Sequence, residues 1–191
     1  MSRVKVLAFA GSARRDSYNK QVVAIAAAGA EAAGAEVTQI DLADYPLPLF
    51  NEDLEAEGRP KNVEKLKQLF LENDALLLSC PEYNSSITPL LKNTIDWVSR
   101  PDPNQPRLAA YRGKVAALMS ASPGGLGGLR GLVHVRSILS NIGVVVIPDQ
   151  VAVPNAGDAF SADGSLKDLK RHASIHALGE TLVHLASRLK N

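Results

Sequence analysis

The feature that most constrains this chain is the alternation of short, continuously apolar runs with longer helical patterns. A strand that is apolar at successive positions is buried on both faces, and such strands form parallel sheets covered by helices on both sides. The alternation therefore predicts an α/β fold with a doubly wound, five-stranded parallel sheet in the order 2-1-3-4-5. Apolar runs predict strands over residues 4–10, 75–80, 114–120 and 144–147, and the alternation of Val37, Ile40 and Leu42 predicts a second strand over residues 36–42.

Helical patterns occupy most of the segments between these runs. Gly34 and Gly143 directly follow two of the predicted helices, as glycine often does at a helix C-terminus, and Pro89 opens a third. Residues 44–59 contain two prolines and several acidic side chains, and we expect a long loop there. The predicted helices span residues 18–33, 62–71, 89–97, 129–142 and 166–189.

Length and charge narrow the class of protein. A chain of 191 residues with net charge +1 fits a single domain, residues 1–191, and gives no support for a nucleic-acid partner. No run approaches the roughly 20 apolar residues of a membrane span, and residues 4–10 are too short for the core of a signal peptide. Cys80 is the only cysteine, which suits a reducing compartment. We therefore expect a cytoplasmic protein without membrane contact.

The loop after the first strand predicts a phosphate site. In a sheet of this order, ligands bind outside the carboxyl ends of the strands, where the strand order reverses. Residues 11–19 (GSARRDSYN) place the short polar side chains of Ser12, Ser17 and Asn19 and the cation of Arg14 at a helix start. Such a start supplies free N–H groups and a positive dipole. The loop matches neither a dinucleotide turn nor a nucleoside triphosphate loop.

Two further loops leave the same edge of the predicted sheet. Residues 81–86 (PEYNSS) supply Pro81, Tyr83 and Asn84, which suit the walls and polar edge of a planar heterocycle but also an ordinary turn. Residues 120–128 (SASPGGLGG) allow the backbone to approach a ligand closely because glycine has no Cβ. Ser122 is placed there to meet the edge of a ring, and the alternative for this loop is a flexible connection.

The three loops together resemble a known family. The pattern is carried by residues 11–19, 46–55 (PLPLFNEDLE), 81–101 (PEYNSSITPLLKNTIDWVSRP) and 122–130 (SPGGLGGLR). It resembles the NADPH-dependent FMN reductase family, flavodoxin-like proteins that include bacterial quinone and chromate reductases. The resemblance implies bound FMN, NADPH or NADH as hydride donor, and a quinone, flavin or similar small molecule as acceptor. It also implies a homodimer or homotetramer.

The resemblance also implies roles for individual residues. The flavin carries the chemistry, so no side chain is expected to act as a catalytic nucleophile, acid or base. Lys92, Asp96 and Trp97 belong to the family pattern but are expected to be structural. The FMN phosphate is implied to lie against Ser12, Arg14, Ser17, the backbone of Tyr18, and Asn19. The isoalloxazine is implied to lie against Pro81, Glu82, Tyr83 and Asn84, with its polar edge near Ser122.

Other interpretations of the sequence lead to different functions. A flavodoxin-type electron carrier has the same fold without turnover of its own, but such carriers are typically acidic and lack arginine in the phosphate loop. Cys80 as a redox nucleophile is disfavoured, since it ends a buried strand and has no cation nearby. A metal site on the last helix is conceivable because ligands four residues apart share a helix face, but we expect a solvated face at His172, His176, Glu180 and His184.

Overall fold

A five-stranded parallel sheet forms the centre of the protein. The computed structural model describes residues 2–190, and its sheet has the order β2-β1-β3-β6-β7. The order reverses between β1 and β3, which confirms the predicted doubly wound α/β fold and its 2-1-3-4-5 arrangement. The strands of this sheet are β1 (Lys5–Ala10), β2 (Glu36–Gln39), β3 (Ala75–Ser79), β6 (Val115–Ala121) and β7 (Val145–Val153); β4 (Glu82–Tyr83) and β5 (Ser86–Ile87) form a separate hairpin.

Helices cover both faces of the sheet, and successive residues of each central strand face opposite sides. Val6 and Ala8 belong to the core under α1 and α7, whereas Leu7 and Phe9 belong to the core under α3, α4 and α5. Burial on both faces explains why β1, β3 and β6 are apolar at most positions. The helices are α1 (Tyr18–Ala32), α2 (Glu52–Glu57), α3 (Lys61–Glu72), α4 (Pro89–Val98), α5 (Leu129–Asn141), α6 (Ala156–Ala159) and α7 (Leu169–Leu189). No helix within residues 2–190 is long and apolar enough to cross a membrane.

The backbones of α1 and α7 are in direct contact. A Cβ atom at Gly29 of α1 would lie 2.0 Å from the carbonyl oxygen of His176, and one at Gly179 of α7 would lie 2.0 Å from that of Ala26. Only glycine fits at both positions, because any side chain there would overlap backbone of the opposite helix. The small side chains of α1 therefore allow α1 and α7 to cross at a short interaxial distance.

The predicted loop at residues 44–59 was wrong, because this segment contains α2. Asn51 caps that helix by accepting the N–H of Asp53 at 2.8 Å, and Glu52 and Asp53 lie in its first turn. Both features stabilise a helix N-terminus. A short helix therefore forms despite the two prolines that precede it.

Three other predicted boundaries were also wrong. β2 ends at Gln39 instead of residue 42, because a short 3₁₀ helix capped by Asp41 follows it. β7 continues to Val153 instead of ending at residue 147, since an edge strand tolerates Pro148; the Arg136 guanidinium donates hydrogen bonds to the carbonyls of Ile147 and Pro148 at 2.8 and 3.3 Å. The last helix begins at Leu169 instead of residue 166. Asp168 caps it by accepting the N–H groups of Lys170 and Arg171 at 3.1 and 3.0 Å.

We expect Gly29→Ala to destabilise the protein by about 3 kcal/mol, because the new methyl group forces the two helices apart. Helix propensity alone predicts the opposite sign. The matched control is Ala28→Gly on the exposed side of the same helix, where only the propensity loss of about 1 kcal/mol applies. Urea denaturation of both variants measures the difference, and a stabilised Gly29→Ala protein would show that the helices do not touch at this point.

Candidate functional site

The carboxyl ends of β1, β3 and β6 open into one cleft formed by the three loops. It contains every site residue predicted from sequence except Asn84, which lies exposed at the tip of the β4–β5 hairpin beside it. The reversal of strand order between β1 and β3 separates the first two loops and leaves room between them. The cleft is lined by Ser12, Arg14, Ser17, Tyr18, Asn19, Pro81, Glu82, Tyr83, Ala121, Ser122 and Pro123.

The first loop presents free donors for an anion. Ser17 precedes α1 as its N-cap residue, yet its side chain accepts no capping hydrogen bond from the described chain. The N–H groups of Tyr18 and Asn19 have no partner within the helix and lie at the positive end of its dipole, whereas the N–H of Lys20 donates to the carbonyl of Ser17 at 3.0 Å. Arg14 is exposed and has no ion pair within residues 2–190, so its charge is available to a ligand.

The Arg14 side chain is nevertheless held in place. Its Nη2 donates a hydrogen bond to the backbone oxygen of Asp16, and its guanidinium carbon lies 5.2 Å from the centre of the Tyr18 ring. A guanidinium has five N–H groups, so these contacts leave several for a ligand. The first loop therefore fits a phosphate group.

Asn19 ties this loop to the sheet. Its side chain is only 4% exposed. Nδ2 donates to the carbonyl of Ala121 at 2.8 Å, while Oδ1 accepts the Ser79 hydroxyl at 2.8 Å and the Ala121 N–H at 3.0 Å. Because Oδ1 is saturated and Nδ2 is engaged, Asn19 fixes the start of α1 against the ends of β3 and β6.

The second loop is a hairpin, which the sequence prediction missed. Asn84 and Ser85 at its tip both have positive φ, 50° and 66°, as a two-residue turn joining antiparallel strands requires. The asparagine at the first turn position was the available signal. The hairpin holds Tyr83 with 57% of its surface exposed at the edge of the cleft, and Pro81 is buried at its base.

Thr88 joins the second loop to the first, and sequence reasoning did not identify it. Its hydroxyl donates to the carbonyl of Gly11 at 2.7 Å and accepts the N–H of Leu91 at 3.1 Å. The second bond makes Thr88 the N-cap residue of α4, directly before Pro89. Threonine followed by proline at a helix start was the local signal for this role.

Glu82 joins the second loop to the third. Its carboxylate accepts the N–H of Gly131 at 3.0 Å and the Nε of Arg130 at 3.1 Å. These groups belong to the first turn of α5, whose N-cap residue Gly128 has no side chain of its own. A carboxylate at this position complements the helix dipole. The Glu82 side chain thus points to α5, and its backbone faces the cleft.

The third loop leaves one wall of the cleft open. Gly127 and Gly128 have φ values of 61° and 90°, and the Ser120 hydroxyl donates to the Gly127 carbonyl at 2.7 Å. Gly125 has no atom within 4 Å of the position of a Cβ. Ser122 accepts the N–H of Gly124 at 3.2 Å. The loop is therefore anchored at its end and unobstructed at Gly125.

The remaining motif residues are structural, as predicted. Trp97 is fully buried and its Nε1 donates to the carbonyl of Pro48 at 2.9 Å. Asn93 donates to the same carbonyl at 2.8 Å and accepts the N–H of Phe50 at 2.8 Å. Lys92 and Asp96 form an ion pair at 2.8 Å along α4. This part of the motif holds the segment after β2 against α4.

Two other candidates from the sequence, the thiol of Cys80 and the histidines of α7, have no catalytic or metal-binding environment in the described residues. Cys80 is completely buried, and this burial raises the pKa of its thiol to about 12, so no thiolate forms near neutral pH. On α7, His176 Nδ1 lies 3.1 Å from Glu180 Oε1. In the part of the chain that is described, no three His, Cys, Asp or Glu side chains are arranged to hold a metal ion.

Comparison with known proteins identifies the family. The family model described as NADPH-dependent FMN reductase matches residues 4–158. The chain belongs to the NADPH-dependent FMN reductase family. A family relative named NAD(P)H-dependent FMN reductase, from Pseudomonas aeruginosa, is 39% identical in an alignment that covers 98% of this chain and 97% of the relative.

Other similar proteins agree with this membership of the FMN reductase family. An NAD(P)H:quinone oxidoreductase from Solanum tuberosum is 37% identical over 193 residues, covering 98% of this chain and 95% of the relative. Among solved structures, the flavoenzyme NAD(P)H:(acceptor) oxidoreductase FerB from Paracoccus denitrificans superposes with a TM-score of 0.79 at 29% identity. That match covers 97% of this chain and 98% of FerB.

In this FMN reductase family member, we expect Glu82→Ala to lower the free energy of unfolding by about 1–2 kcal/mol, because α5 loses the carboxylate at its N-terminus. Glu57→Ala, which removes an exposed carboxylate outside the cleft, is the control and should change stability by less than about 0.5 kcal/mol. Thermal and urea unfolding measure both. Equal stability of the two variants would mean that Glu82 does not support α5.

Proposed function

We propose that the protein is an FMN-dependent oxidoreductase that oxidises NADPH or NADH and reduces a quinone, a flavin or a similar small-molecule acceptor. When bound, FMN supplies the hydride chemistry. The observation that carries this proposal is the cleft itself, in which a cation and a free helix N-terminus lie beside an open, largely apolar wall. Membership of the FMN reductase family and the names of its relatives support it.

The donor set of the first loop fits the FMN phosphate. The hydroxyls of Ser12 and Ser17, the guanidinium of Arg14 and the N–H groups at the start of α1 supply positive charge and hydrogen-bond donors within one loop. We propose that these groups hold the phosphate and that the backbone of Tyr18 takes part. Asn19 acts differently in this proposal, because its amide is engaged with the sheet and holds the loop in place.

The other two loops fit the isoalloxazine. Pro81 and Tyr83 provide apolar and aromatic surface, and the backbone of residues 82–83 provides polar groups for the ring edge. Ala121, Ser122 and Pro123 line the cleft from the third loop. The contribution of the chain is therefore to hold two flat reactants in contact, which converts a bimolecular encounter into a positioned pair.

The proposal also covers the domain organisation, the oligomeric state and the cellular location of the protein. We propose a single domain and a cytoplasmic homodimer or homotetramer. Leu126, Leu129 and Val133 support an oligomer, because these large apolar side chains are 52, 42 and 60% exposed along the third loop and α5, where a second subunit would cover them. A single buried, reduced cysteine supports a reducing compartment.

The proposal predicts that the purified protein binds one FMN per chain and shows the visible absorption bands of a flavin. Anaerobic NADPH or NADH should bleach these bands, and a quinone should restore them. Steady oxidation of NADPH with added quinone distinguishes a reductase from an electron carrier, which would bind FMN without turnover. A protein that takes up no FMN even on reconstitution would refute the proposal.

We expect Arg14→Ala to weaken FMN binding about tenfold or more, because a charge-assisted hydrogen bond to the phosphate is lost. Binding of riboflavin, which has no phosphate, should hardly change. Arg15→Ala removes the same charge from the adjacent exposed residue outside the cleft and serves as the control. Fluorescence titration with both flavins measures the affinities, and an Arg14→Ala protein with unchanged FMN affinity would exclude Arg14 from the phosphate site.

A further inference from the structure

The ring of Tyr18 connects the first loop to a segment that none of the three loops includes. The guanidinium of Arg14 lies 5.2 Å from the centre of this ring. The ring of Phe160 lies nearly parallel to it, with a centroid distance of 5.7 Å and an interplanar angle of 7°. Both distances are typical of attractive contacts with an aromatic ring. Phe160 lies outside residues 4–158, the part of the chain that the family model matches.

The backbone on both sides of Phe160 is fixed. Phe160 forms a β-bridge with Leu166, and Leu166 is 2% exposed in the core under α1 and α7. The N–H of Lys167 donates to the carbonyl of Ala159 at 2.9 Å, and the N–H of Ser161 donates to that of Ser165 at 2.8 Å. Phe160 is therefore held by a closed turn that is anchored in the core.

This arrangement restricts Arg14, which is the one of the two arginines in the first loop that lines the cleft. Arg14 is exposed, and a free arginine loses much rotamer entropy when it is immobilised on a ligand. A Tyr18 ring supported by Phe160 gives the guanidinium a fixed surface before any ligand arrives. α6 flanks the same ring, since a Cβ at Gly157 would lie 3.8 Å from the Tyr18 hydroxyl.

We propose that Phe160 is a positioning residue for the phosphate-binding Arg14, acting through the ring of Tyr18. This inference rests on the proposed function. It assigns part of the phosphate affinity to the segment between β7 and α7, which contributes no residue to the lining of the cleft. The effect of Phe160 should depend on Arg14 and on the phosphate group of the ligand.

The test is a double-mutant cycle. FMN and riboflavin affinities are measured by fluorescence titration for the unaltered protein, Phe160→Leu, Arg14→Ala and the double variant. We expect Phe160→Leu to weaken FMN binding about fivefold and riboflavin binding by less than about twofold. In the Arg14→Ala background, Phe160→Leu should have no further effect. Phe160→Tyr, which keeps a planar ring, should bind FMN like the unaltered protein.

Phe50→Leu is the matched control. Phe50 is also half-buried and also lies under an arginine, with the guanidinium of Arg100 5.0 Å from its ring centre, but it is outside the cleft. We expect its ratio of riboflavin to FMN dissociation constants to be unchanged. Partial unfolding of a variant weakens both ligands by the same factor, so this ratio isolates the phosphate contribution.

The outcomes separate the two proposals. If the unaltered protein binds no FMN, the proposed function fails and this inference fails with it. If the protein binds FMN but Phe160→Leu weakens FMN and riboflavin equally, or adds its full effect to that of Arg14→Ala, only the role of Phe160 is overturned. An FMN-specific loss that disappears in the Arg14→Ala background supports it.

Discussion

The buried amide of Asn19 joins the parts of the molecule that the cleft depends on. A polar side chain in a core must have its hydrogen bonds satisfied, and Asn19 satisfies its amide with the Ser79 hydroxyl and with both backbone groups of Ala121. Ser79 ends β3 and Ala121 ends β6, so one side chain fixes α1 relative to two strands. The spacing of all three loops follows from this network.

The other links between the loops follow the same principle. The Thr88 hydroxyl connects the second loop to Gly11, and the Glu82 carboxylate connects it to Gly131. Each of these bonds engages a polar group that would otherwise be available to water or to a ligand. Ser17 has no side-chain capping bond within the described residues, Arg14 keeps several N–H groups free, and both residues line the cleft. A site that is fixed before binding loses less entropy when a ligand enters.

Local patterns in the sequence were sufficient to predict the fold and the three loops. The apolar runs at β1, β3 and β6 specify burial on both faces, and Gly34 and Gly143 mark the ends of their helices. The contacts of Asn19 were beyond such reasoning, because its partners lie 60 and 102 residues away in the chain. The orientation of Glu82 toward α5 was hidden for the same reason, while α2 and the hairpin left local signals at Asn51 and Asn84.

The helix crossing at Gly29 and Gly179 links the cleft to a later part of the chain. α1 starts at the first loop, and its far end rests on α7, about 150 positions later in sequence. On a ribosome, α1 is synthesised well before the helix that covers it. Until α7 emerges, the alanine-rich face of α1 is open to water, although the Asn19 network can already hold the start of α1 against β3 and β6. Full burial of the helix behind the first loop therefore depends on a segment that is translated long after the loop itself.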